Sequence, residues 1–173
     1  MTRIMLSMAG GAAIALLAAC GSEAPPAAKA AKAKALTPGE YEVTAEVTKL
    51  ASADKSTPAT TATVGEKTVT RACIAEGGKL DPAMFVDAGD SCTQQSSYVR
   101  SGRLSAQYQC TRPNRGNVYP AADGNFTADG FEAIVTVATA FDGDGDYNLT
   151  RMLTAKRVGD CPAGGAAAAP STG

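Results

Sequence analysis

The sequence predicts a mainly β domain: an antiparallel meander forming a twisted sheet or a small incomplete barrel, with one short helix and disulfide staples. Three observations predict it. Between Thr37 and Cys161, apolar and polar residues alternate over several runs, the two-residue period of strands with one buried face. Short turn signals separate these runs, so successive strands lie antiparallel. Four cysteines, an even number, fall inside the region.

The chain opens differently. Residues 1–19 read as a lipoprotein signal peptide: Arg3, an apolar core from Ile4 to Leu17, then small residues. The core is too short and too glycine-rich for a membrane span, which needs about 20 apolar residues. Leu17-Ala18-Ala19-Cys20 matches the lipoprotein processing pattern, and Cys20 is the expected lipidation site. Small residues before the cysteine let a peptidase hold an extended backbone. Acyl chains on Cys20 then anchor the protein, each buried methylene contributing ~0.8 kcal/mol. Residues 20–36 are expected to form a disordered tether rich in Ala, Pro and Lys, with almost nothing apolar to offset its ordering entropy. Lys29, Lys32 and Lys34 are candidates for contact with anionic headgroups or peptidoglycan.

Residues 37–161 are expected to form a single β-rich domain. Pro38-Gly39 punctuates the start of the first strand, where Tyr41, Val43, Ala45 and Val47 alternate with Glu42, Thr44, Glu46 and Thr48. A polar loop follows from Ser52 to Thr60. The Thr- and Val-rich run Thr61–Ile74 predicts a second strand, bulged at Gly65. Asp81 suits a helix N-cap and Pro82 the first helical position, which predicts a short helix over Pro82–Asp87 ended by Gly89. Met84, Phe85 and Val86 would seat it on the sheet edge or barrel mouth.

Gln94–Arg100 and Arg103–Cys110 flank Ser101-Gly102, a hairpin turn. Asn117–Ala121 reads as a weaker strand that Pro120 confines to an edge or a bulge. The chain resumes at Gly124–Thr127, turns at Asp129-Gly130, and runs as a long strand from Phe131 to Phe141. Tyr147–Val158 is the last strand, with Tyr147, Leu149 and Leu153 inward. Arg151 breaks that alternation, so it lies at an edge or points into a polar interior. Residues 162–173 are Ala, Gly, Pro and Ser with one Thr, and read as a disordered tail.

Composition narrows the chemistry. The chain has 16 Lys+Arg against 17 Asp+Glu, no histidine and no tryptophan. Near-neutral charge leaves no footprint for nucleic acid. Absent histidine removes the commonest general base and metal ligand. With only 5% aromatic residues the core is light, which makes covalent staples physically sensible. Cys73, Cys92, Cys110 and Cys161 allow three pairings. Cys92 and Cys110 flank the hairpin almost symmetrically, which favours Cys92–Cys110 with Cys73–Cys161. Without CxxC spacing, neither a metal site nor a redox pair is favoured.

Asp142-Gly143-Asp144-Gly145-Asp146 resembles the start of a calcium loop. Counted from Asp142, the sixth residue is Tyr147 and the twelfth Leu153, where an EF-hand needs Gly and Glu. Asp142, Asp144 and Asp146 stay as a weak calcium candidate beside the plainer reading, a glycine-rich hairpin turn. Arg100, Arg103, Arg112 and Arg115 form a basic cluster that would suit an anionic glycan or phosphate, or simply keep a sheet edge from aggregating. Neither a P-loop nor Gly-x-Ser-x-Gly is present, and no motif calls for a cofactor.

Several of these segments occur together elsewhere. Pro38-Gly39-Glu40-Tyr41-Glu42, Cys73-Ile74, Cys92, Tyr98-Val99-Arg100-Ser101-Gly102, Cys110, Gly124 and Arg157-Val158-Gly159-Asp160-Cys161 come in this order. The chain resembles an exported proteobacterial family, domain of unknown function 3617, here in lipoprotein form. Members often carry tryptophan at the position of Tyr41 and in the second strand of the hairpin; this chain has neither. The resemblance implies a secreted or lipid-anchored β-rich domain and names no catalytic residue.

The expected function is that of a non-enzymatic cell-envelope lipoprotein, a tethered binding or structural module. It would be held to the membrane through Cys20, face the periplasm, and meet an envelope protein or glycan. Gly21 rather than Asp after the cysteine favours the outer membrane over the inner. A lipocalin-like carrier of a small apolar ligand is the alternative, and a histidine-free hydrolase ranks below both. Metabolic labelling with palmitate is expected to mark the protein, and Cys20→Ser to abolish the label; an equally labelled variant would refute the anchor.

Overall fold

The computed structural model describes residues 33–77, 80–162 and 171–172. The signal peptide, Cys20 and most of the tether lie outside the described residues. Eight strands form one antiparallel sheet: β1 (Gly39–Ser52), β2 (Lys67–Ile74), β3 (Ser91–Arg100), β4 (Arg103–Arg112), β5 (Gly116–Phe126), β6 (Gly130–Phe141), β7 (Tyr147–Gly159) and β8 (Ser171–Thr172). Their order is β3-β4-β5-β6-β7-β1-β2-β8. Strands β3 to β7 follow one another as a meander, and β1 returns to lie between β7 and β2. The sheet curls but its two ends do not pair, so the fold is an open half-barrel.

Alternation sets which face is buried. Tyr41, Val43 and Val47 on β1, Phe131, Ala133, Val135 and Val137 on β6, and Tyr147, Leu149 and Leu153 on β7 all face the concave side. Each such side chain stabilises by roughly 1.5–3 kcal/mol when fully buried. Register shifts between Val47 and Lys49, against Arg151 and Thr150, leave Thr48 as an extra residue in β1. The bulge switches the phase of the strand, so Leu50 rather than Lys49 packs against the core. Leu36 is also buried, so the domain begins one residue earlier than the tether reading placed it.

Local structure corrects several expectations. The second strand starts at Lys67, not Thr61, and residues 61–66 are irregular. Gly65 lies in a turn at φ +90°, not in a bulge, and its N–H donates to Val47 O. Between Pro82 and Asp87 there is no α-helix, only a 3-10 turn at Pro82–Met84 capped by Asp81, whose carboxylate accepts from Ala83 N at 2.9 Å. Phe85 and Val86 instead continue as loop, because Phe85 turns into the core. The segments on either side of Asp123 merge into β5, which lies inside the sheet between β4 and β6. Pro120 therefore occupies an inner strand, fully buried. Its register with Val137 on β6 is intact, whereas the pairing with β4 lapses opposite it at Tyr108 and Gln109. The missing N–H is thus confined to one side of the strand.

The hairpin turn forms as expected: Ser101 and Gly102 have φ of +54° and +76°, the pair of positive angles that a type I′ turn requires. Gly124 meets Ala133 across β5 and β6, where an added Cβ would sit 2.8 Å from the Ala133 Cβ. No side chain fits at that crossing.

Two disulfides brace the half-barrel. Cys92–Cys110 bridges directly opposed residues of β3 and β4, and Cys73–Cys161 ties the end of β2 to the segment after β7. Within the segment read as an unstructured tail, Ser171–Thr172 pairs with Val69 and Thr68 of β2. The bridges close loops of very different size, with sequence separations of 88 and 18 residues. Unfolding by urea is therefore expected to show roughly 4–5 kcal/mol lost when Cys73 and Cys161 become alanine, and roughly 3 kcal/mol for Cys92 and Cys110. Equal losses would contradict the chain-restriction account.

Candidate functional site

The segment Asp81–Asp90 folds back onto the concave face and is the part of the chain that shapes a site. Phe85 is its anchor: it is buried and stacks near Tyr108 and Phe131, with ring centroids 6.0 and 6.2 Å away. Leu80 and Met84 are buried with it. The buried Tyr108 hydroxyl has no hydrogen-bond partner among the described residues. Burial first, and the charge of Asp81 second, push its pKa up to about 12.

Beyond Phe85 the segment turns polar and meets two arginines. Arg112 ends β4, and Arg151 lies mid-strand in β7 with its neighbours Leu149 and Leu153 on the same face. Arg112 binds Asp90 with two parallel bonds, Nε to Oδ1 and Nη2 to Oδ2, each 2.8 Å. It also donates to Asp87 Oδ2 at 2.9 Å and to Tyr147 Oη at 3.0 Å. Arg151 Nη2 donates to the other Asp87 oxygen at 2.6 Å. Asp87 thus bridges two guanidinium groups. The Asp90 side chain is only 3% exposed, so its desolvation is offset by the paired geometry with Arg112. Hydrogen bonds from Arg112 to Asp90 hold the guanidinium proton still more firmly than usual, against the opposing effect of burial.

This network answers the question that Arg151 raises in the sequence: it points into a polar interior. Asp87, Asp90 and Tyr147 were not singled out as site residues. The legible signal was the lone arginine on an inward strand face, which calls for a buried carboxylate partner. The two carboxylates flanking Gly89, Asp87 and Asp90, are the nearest such partners in that segment.

Beside the segment lies a groove of about 1000 Å³. Val43, Ala45, Val47 and Leu153 form its floor, and the loop Pro58–Ala62 forms its opposite wall. Thr68 and Thr70 line it along β2. Of its lining carboxylates, Asp87 and Asp90 are committed to arginines, while Glu66 accepts from Thr63 N at 2.9 Å and forms no ion pair among the described residues. Arg151 makes one hydrogen bond among the described residues, and a guanidinium has five N–H donors.

The other candidates fare differently. The arginine cluster is divided: Arg100 and Arg103 pair at the hairpin tip, while Arg112 lies at the far end of β4, on the order of 30 Å away at 3.3 Å per residue. Arg115 stacks over Phe141 at 5.1 Å from the ring centroid. The acidic turn does not gather around a metal position, and among the described residues no three Asp, Glu, Cys or His side chains do. Instead Asp146 Oδ1 accepts from Thr139 Oγ1 at 3.0 Å and Phe141 N at 2.9 Å. The N–H groups of Gly145 and Asp146 donate to Asp54 Oδ2. Of the weak calcium candidate Asp142, Asp144 and Asp146, Asp146 is thus engaged within the turn.

The molecule is a disulfide-braced β half-barrel with a loop folded onto its concave face and a groove beside it. A family model described as a protein of unknown function (DUF3617) matches residues 36–161, and the chain belongs to that family. No curated protein and no solved structure matches it.

Arg112→Ala would leave Asp90 buried without its partner and is expected to cost on the order of 3 kcal/mol in urea unfolding. Arg112→Lys should recover little, since one ammonium cannot reproduce the two-bond fork and the bonds to Asp87 and Tyr147. A second expectation concerns acid. Hydrogen bonds from Ser56 hold the Asp54 carboxyl well below its ordinary value of 3.8. A depressed carboxyl contributes its stability above that ordinary value and loses it as pH falls below. Amide exchange at Gly145 and Asp146 should therefore stay slow at pH 4 and accelerate only in stronger acid; acceleration already at pH 5 would contradict the assignment.

Proposed function

We propose that the protein is a lipid-anchored, non-enzymatic binding module of the cell envelope, and that the concave groove is its binding surface. The observation that carries the reading is the groove itself. It has an apolar floor, polar walls, and two carboxylates, Asp87 and Asp90, engaged in ion pairs. Such a surface suits recognition better than acid–base chemistry. Two disulfides favour an oxidising compartment. The leader ending in Leu17-Ala18-Ala19-Cys20 supports attachment through acyl chains on Cys20, facing the periplasm. Leu80, Met84 and Phe85 pack onto the concave face beside the groove, which favours a surface site over an enclosed carrier cavity.

The test is hydrogen exchange on the purified mature chain, with and without a detergent extract of envelope proteins. Slower exchange in residues 58–62 and 82–90 is the expected result. Unchanged exchange in both segments, with protection elsewhere, would overturn the groove as the binding surface.

A further inference from the structure

We infer that the outer edge of β2 is a strand-acceptor site whose partner is an extended, uncharged peptide segment, and that the chain's own tail occupies part of it. The inference rests on the reading of the groove as a binding surface and specifies what enters it.

The two ends of the half-barrel are not equivalent. The β3 end is disrupted by a register shift between Gln94 and Ser96, a device that discourages pairing with another strand. Strand β2 has no such protection. It contains no proline, and its register with β1 runs without a shift from Lys67 to Ile74. Its concave side carries Thr68, Thr70, Ala72 and Ile74, none of them charged. Its two charges lie on the convex side and are neutralised in place: Lys67 by Glu46 at 3.1 Å, Arg71 by Glu40 and Glu42 at 3.5 Å. An edge of this kind is a template for another strand.

The structure also shows a strand using it. Ser171 and Thr172 pair antiparallel with Val69 and Thr68. Cys161 is bonded to Cys73 at the opposite end of β2, so the disulfide fixes the origin of the tail beside the edge it joins. Tethering of this sort raises the local concentration of the tail, and two residue pairs suffice to hold it. The occupant is thus weakly held and replaceable.

The groove decides the side chains of the partner. Thr68 and Thr70 line it, so a strand added beside β2 directs alternate residues into it. Thr68 and Thr70 offer this strand no charge to pair with, and the residues that join the edge, Ser171 and Thr172, are themselves uncharged. Small apolar or hydroxyl residues at alternate positions fit, as in a Val-Thr repeat.

The experiment uses the full mature chain and an eight-residue alternating Val-Thr peptide flanked by lysines. Its control is the same peptide N-methylated at alternate amides, which keeps the side chains and removes the edge donors. The first peptide is expected to bind saturably, to slow amide exchange along β2, and to lose at least tenfold in affinity on N-methylation. In the full chain carrying Ser171→Pro and Thr172→Pro, which weakens the tail pairing, it should bind at least threefold tighter. Equal binding of both peptides would overturn the edge and leave the groove reading intact. Binding of neither would overturn the inference alone, since the groove has its own exchange test. A dimer formed by the proline variant, with protected β2 amides and no peptide binding, would make a second copy the occupant and overturn the peptide.

Discussion

The half-barrel depends on the pairing of β1 with β7. These strands come from opposite ends of the domain, and their register runs from Glu40 opposite Gly159 to Ser52 opposite Tyr147. The meander β3 to β7 forms from neighbouring segments and needs only local turns. Strand β2 is held to the sheet through β1, so without the long-range pair both would be lost from it. The same pairing sets the floor of the groove, because Val43, Val47 and Leu153 meet only when the two strands are in register. The bulge at Thr48 is part of that fit: it lets one strand follow the curl while keeping apolar residues inward on both sides of the break.

On this frame the polar network does a second job. The segment Asp81–Asp90 has little regular structure, and its apolar half is seated by Phe85. Its acidic half would be free without Arg112 and Arg151. Asp87 shared between two guanidinium groups fixes the loop against β4 and β7 at once, and Asp90 fixes it next to Cys92. Ion pairs of this kind are demanding in geometry more than they are stabilising. Their contribution is to hold one wall of the groove in a single position.

Much of the architecture was readable because period two is a strong signal where one face is wet. The strands β1, β4, β6 and β7 and the Ser101-Gly102 turn show it clearly. The failures have physical causes. Residues 61–66 are rich in Thr and Val yet form a turn, since β propensity without a partner strand does not make a ladder. The sequence confines Pro120 to an edge or a bulge because proline lacks a donor, but an inner strand tolerates it when the loss falls on one side. The 3-10 turn after Asp81 had a good cap and a good first residue, and tertiary burial of Phe85 ended it. Of the site, the sequence marks Arg151 as anomalous, Arg112 as one of a basic cluster, and Met84, Phe85 and Val86 as seating residues, but not the ion pairs. Asp87 falls at the end of the expected helix and Asp90 just beyond Gly89, and only the fold brings β4 and β7 beside them.

The position of Cys73–Cys161 has a mechanical consequence. Glu40 on β1 lies between Cys73 of β2 and Gly159 of β7, so the covalent bridge joins the strands on both flanks of the first turn of the domain. Next to it, Tyr41 Oη donates to Thr37 O and Arg157 Nε to Pro38 O. Tension arriving through the segment before Leu36 therefore reaches the sheet at the corner cross-linked by Cys73–Cys161. Peeling β1 outward from that end must first work against a closed ring of chain, whereas the free hairpin at Ser101 bears none of the strain.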